Sequence, residues 1–73
     1  MIDMTYDPEA DAVYMYLSRG KVDRTEEAGP FIYDLDAAGR VLGIEILSAS
    51  KVLAAGDWQN ARRPGETKFH AAE

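Results

Sequence analysis

The sequence predicts an α+β fold: a small antiparallel β-sheet of about five strands, built of meanders and hairpins, with one short C-terminal helix packed on one face. Three observations lead there. Apolar and polar residues alternate with a period of two through most of Ile2 to Leu47, the repeat of half-buried strands. Asp36-Ala37-Ala38-Gly39 separates two apolar runs, as a hairpin turn does. After Ser48 one segment has the capping residue and apolar content of a helix.

The strands follow in order. Ile2, Met4 and Tyr6 alternate with Asp3 and Thr5 and form the first. Asp7-Pro8 stops it, because Asp accepts hydrogen bonds from the amides that follow and Pro presets φ, so the chain turns through Asp7 to Asp11. Ala12 to Leu17 is apolar, β-branched and aromatic, a central strand with Val13, Met15 and Leu17 on one side and Tyr14 and Tyr16 on the other. Ser18 to Lys21 is a turn. Val22 to Glu27 is dominated by charge, which suits a sheet edge because charged side chains discourage pairing with another chain. Phe31 to Leu47 forms the last hairpin, closed by a type I turn with a glycine bulge at Gly39. Placing Asp36 opposite Arg40 sets Leu35 by Val41, Asp34 by Leu42, Tyr33 by Gly43 and Ile32 by Ile44. One face then shows Ile32, Leu42, Ile44 and Ile46, the other Phe31, Tyr33, Leu35, Val41 and Leu47. Both are apolar, so each needs a cover. Ser48 or Ser50 caps a helix of about two turns through Lys51 to Ala55, ended by Gly56, which covers part of one face. A second copy of the chain covers the rest.

With 73 residues the chain has material for one core, since domains of this size bury only ~60% of their unfolded surface. Residues 1–56 form that domain; residues 57–73 read as a polar tail or extended arm. There is no cysteine, so neither disulfides nor a thiolate metal site can supplement the core, and self-association as a homodimer is the simplest supplement. The net charge of −5 lies wholly in residues 1–56 and works against binding a phosphate backbone. Tyr14, Tyr16 and Tyr33 near Arg19 are stacking residues without the basic groove that nucleic acid requires. No apolar run reaches the ~18–20 residues of a membrane span, and Met-Ile-Asp-Met opens the chain without the features of a signal peptide; a cytoplasmic location is expected.

Catalytic sets are missing. The one imidazole, His70, lies in the tail, so a serine nucleophile lacks a held base and a multi-His zinc site cannot form within one chain. Asp7, Glu9 and Asp11 resemble the opening of a calcium loop, but Ala12 stands where the loop needs Gly and Ser18 where it needs Glu. Asp34 is assigned to turn amides near Gly39. No catalytic, cofactor-binding or metal-binding residue is expected, and no cofactor. Trp58, just past the helix in a polar stretch, reads either as a plug folded back on the helix or as an anchor for a partner.

The string YDPEADAVYMYLS from Tyr6 to Ser18, Thr25-Glu26-Glu27, and DAAGRVLGIEILSASKVL from Asp36 to Leu53 resemble the bacterial family catalogued as domain of unknown function 2283, over roughly residues 2–53. This chain has Gly29-Pro30-Phe31 where the family usually has a longer apolar run before the hairpin. The resemblance implies a small antiparallel sheet ending in a helix and brings no activity or catalytic residue with it. It also implies antitoxin-like binding, since such proteins are often encoded beside small toxin-like proteins of the ribonuclease type. Gly43, within its motif, reads as a place where backbone or Tyr33 approaches closely.

These readings converge on an uncharacterised, non-enzymatic protein-interaction module whose acidic surface binds a small basic, toxin-like protein partner. The expected partner-binding residues are Trp58, Asp7, Glu9, Asp11 and Glu45. The alternative is a small-ligand binder or minor enzyme with a site formed between subunits.

Overall fold

In the computed structural model, which describes residues 3–65, the alternating segments become β1 (Asp3–Asp7), β2 (Ala12–Tyr16), β3 (Arg24–Ala28), β4 (Phe31–Leu35) and β5 (Val41–Ile46), followed by one helical turn, α1 (Ala49–Val52), and a 3₁₀ turn at Asp57–Asn60. The strands form one antiparallel sheet in the order β1-β2-β5-β4-β3. This is the expected α+β class, with β2 inside the sheet rather than at its edge and the charged β3 at an edge. Ile2, assigned to the first strand, lies outside the described residues. No helix among the described residues is long and apolar enough to cross a membrane.

The last hairpin closes as its chemistry requires. Asp36 N donates to Arg40 O, Gly39 N donates to Asp36 O, and the Asp36 carboxylate accepts from the amides of Ala38 and Arg40, each at 2.9 Å. Those amides, the Arg40 bond first, hold the Asp36 carboxyl below its ordinary range. Gly39 takes φ +84°, a region that side chains with a Cβ resist.

Beyond Leu35 opposite Val41, the expected register fails. A bulge between Asp34 and Leu35 sets Asp34 opposite Gly43, Tyr33 opposite Ile44 and Ile32 opposite Glu45, so Leu42 is the extra residue on β5. A one-residue slip exchanges every side chain between faces. Ile44 and Ile46 therefore join Phe31, Tyr33 and Leu35, and the sheet has one apolar face instead of two.

That inner face gathers Met4 and Tyr6 of β1, Val13 and Met15 of β2, Ile44 and Ile46 of β5 and Phe31 of β4 around a buried centre of Val13, Ile46 and Ala49, closed by Leu53 and Trp58. α1 is one turn rather than two, and no side chain of Ser48 caps it. A single turn has little stability of its own; here Asp11, distant in sequence, caps it. Ala49 N donates to Asp11 O at 2.8 Å, and the Asp11 carboxylate accepts from Ser50 N at 3.1 and 3.2 Å and from Ser50 Oγ at 2.7 Å. Gly56 opens the 3₁₀ turn instead of ending a helix. The chain then returns along β1: Tyr6 N donates to Arg62 O at 2.9 Å, and Thr5 bridges Arg62 in parallel.

Candidate functional site

The carboxylates singled out in sequence separate into different environments. Asp7 folds onto its own turn, accepting from the amides of Glu9 at 3.0 Å and Ala10 at 3.4 Å, and Glu9 is exposed. Asp11 is a structural hub. Besides capping α1 it accepts the Tyr6 hydroxyl at 2.9 Å, and the Ser50 hydroxyl leads the bonds that hold its carboxyl below the usual range despite partial desolvation. The Asp11 bond in turn raises the Tyr6 phenol. Trp58 lies beside this cluster, donating from Nε1 to Ala54 O at 2.7 Å and meeting the Tyr6 ring edge-on with centroids 5.0 Å apart. Its indole folds back on its own domain. Among the described residues no group of three or more His, Cys, Asp or Glu side chains is placed to hold a metal ion.

Glu45 lies on the opposite, outer face, where register and alternation place a set that sequence reasoning left scattered. Asp3, Thr5 and Asp7 of β1, Tyr14 and Tyr16 of β2, Gly43 and Glu45 of β5, Ile32 and Asp34 of β4, and Thr25 and Glu27 of β3 share this surface. Its centre is Asp34. Tyr14 donates to Asp34 Oδ2 at 2.5 Å and Thr25 Oγ1 to Oδ1 at 3.1 Å, so Asp34 bonds strand neighbours rather than the Gly39 turn. The Tyr14 ring reaches it by crossing the bare backbone of Gly43, where any Cβ would overlap the phenol; Tyr14, not Tyr33, is the close neighbour of that glycine. Burial first, then the Asp34 carboxylate, pushes the Tyr14 phenol well above its ordinary value, so it remains a donor throughout the physiological range. A glycine inside a strand is the sequence signal for such an approach, but choosing between Tyr14 and Tyr33 requires knowing that β2 borders β5.

Tyr16 packs edge-on against Tyr14 with centroids 4.5 Å apart and is 45% exposed. Tyr33 is on the inner face, so the three tyrosines do not make one stacking platform. Beyond Tyr16 the outer face dips into an open groove lined by Leu17, Arg19, Gly20, Val22 and Leu42. At the β1 margin the Arg62 guanidinium clasps Asp3 through Nη2 at 2.7 Å and Nε at 3.2 Å, 6.0 Å above the Tyr16 ring. Among the described residues paired into the sheet, Arg62 is the one cation on this face, against carboxylates at Asp3, Asp7, Glu27, Asp34 and Glu45. The arrangement supplies negative charge and aromatic surface.

The family described as "Protein of unknown function (DUF2283)" matches residues 3–50, a span that holds all five strands, Asp11, Tyr14, Asp34 and Gly43 and stops short of Trp58 and Arg62. Neither a curated protein nor a solved structure matches the chain.

Proposed function

Because this chain belongs to the DUF2283 family of proteins of unknown function, we propose its role from fold and surface: it is a non-enzymatic protein-interaction module that binds a basic protein partner through the outer sheet face, antitoxin-like in that it covers the partner's cationic surface. The observation that carries this reading is the sorting of side chains by the β5 bulge, which, among the described sheet-paired residues, leaves five carboxylates and the paired Arg62 on one face, with Arg19 in the groove at its margin. Such a field steers a cationic protein and orients its docking, while Tyr14, Tyr16 and Ile32 supply area that can be desolvated at the centre of contact. Trp58 is engaged within the domain, so the proposed surface is built without it. The inner face beyond α1 leaves Met4, Met15, Tyr33 and Ile44 only half-buried, and a second copy of the chain, in a symmetric dimer, is the proposed cover.

Capture at native expression level with mass spectrometry, then binding kinetics across a salt series, tests the reading. The expected result is a basic partner whose on-rate falls steeply with salt and falls again in a Glu27→Lys, Glu45→Lys variant. Recovery of no protein partner, or of one indifferent to salt and to both substitutions, would overturn it in favour of a small-ligand site between subunits.

A further inference from the structure

The two edges of the sheet end differently. The outer edge of β1 is occupied by the chain's own Arg62, whose carbonyl takes the Tyr6 amide. The outer edge of β3 is open: no described segment pairs with it, and all five of its residues are exposed. Alternate residues of an edge strand turn their N–H and C=O groups outward, where another strand can bond them.

Charge decides which strand fits. Two copies of β3 placed antiparallel meet like charges in each central register: centring on Glu26 sets Glu26 against Glu26, centring on Glu27 sets Glu27 against Glu27, and centring on Thr25 sets Asp23 against Glu27, there offset by Arg24 against Glu26. Like charges directly opposite are destabilising. The two sides of the edge also differ. On the inner side Arg24 Nε meets Glu26 Oε2 at 3.2 Å, so that side is internally neutralised. On the outer side stand Glu27 and, one strand in, Asp34, with Glu45 behind them, and the sheet-paired residues nearest them include no cation.

We propose that β3 is the docking edge: an extended segment of the basic partner adds to it as a sixth strand, with Lys or Arg at the alternate positions that face Glu27 and Asp34. The inference rests on the partner-binding reading above and adds its mode: main-chain bonds hold the segment, and charge sets its facing and favours it over a second β3.

The test uses the full-length protein, labelled with nitrogen-15, and a short peptide of alternating Thr and Lys at low salt. Amide shifts should concentrate at Arg24 to Ala28, and N-methylation of alternate peptide amides should weaken binding by about tenfold. A peptide with Glu in place of Lys should not bind. Binding that survives N-methylation while still mapping to Glu27, Asp34 and Glu45 would overturn the edge assignment and leave the acidic-face reading standing. Shifts at Arg24 to Ala28 on concentrating the protein alone would overturn it in favour of a second copy. Absence of any shift there with the Lys peptide would also overturn it, and the capture experiment would decide the wider reading separately.

Discussion

Asp11 and Gly43 carry more structure than their size suggests. Asp11 holds φ 53°, a region that Asp tolerates better than most residues, and from it reaches both α1 and Tyr6. Its folded pKa lies below the unfolded one, so its contribution to stability is present above the ordinary Asp value of ~3.9 and is lost as pH falls through the folded value. Asp11→Asn keeps a side chain suited to that φ and removes the titration. Thermal midpoints followed from neutral to acid pH should therefore decline less steeply in the variant than in the parent; because Asp36 shifts in the same direction, some decline should remain. Gly43→Ala would drive a methyl into the Tyr14 ring, and overpacking of this kind costs ~1–3 kcal/mol. Denaturant titration should show that loss, and the same substitution in a Tyr14→Ala background should cost much less, since the two residues are coupled through one contact.

At the scale of elements, the Asp36–Gly39 turn separates conformational strain from crowding. A Cβ at Gly39 would meet only an Arg24 nitrogen at 3.6 Å, so Gly39→Val should cost about 1–2 kcal/mol through φ alone, and unfolding midpoints equal to the parent would contradict the turn. Alternation and turn residues made all five strands legible, along with the interior place of β2 and the edge place of β3. The pairing of Asp34 with Gly43 was not legible, because a bulge adds a residue without changing the local pattern that announces a strand. Both errors about the faces descend from Leu42. The helix was misread for a related reason: Ser48 and Ser50 look like local caps, whereas the cap that forms comes from Asp11, 39 residues before Ser50. The outer-face site was invisible for the same cause, since Tyr14, Asp34 and Thr25 meet only once the order β2-β5-β4-β3 is known.

At the scale of the whole molecule, a chain of 8.1 kDa with one apolar face and a single helical turn over it has a small core, and the proposed dimer adds to it where α1 ends. Sedimentation equilibrium should give a species of twice 8.1 kDa that dissociates on dilution; an 8.1 kDa monomer at high concentration would remove the dimer. The strand order bears equally on how the molecule assembles in time. β1 with β2, and β3 with β4 and β5, are joined by short turns and close through local contacts, whereas β2 meets β5 across the intervening chain. Val13, 1% exposed, finds its partner at Ile46, and loop closure over that distance precedes any gain from the contact. The inner side of the β1–β2 hairpin therefore gains its β5 neighbours only through this long-range pairing. The slow step of refolding is expected to be the joining of β2 to β5, so Val13→Ala should slow refolding as well as lower stability, and a refolding rate equal to the parent's would contradict this order of events.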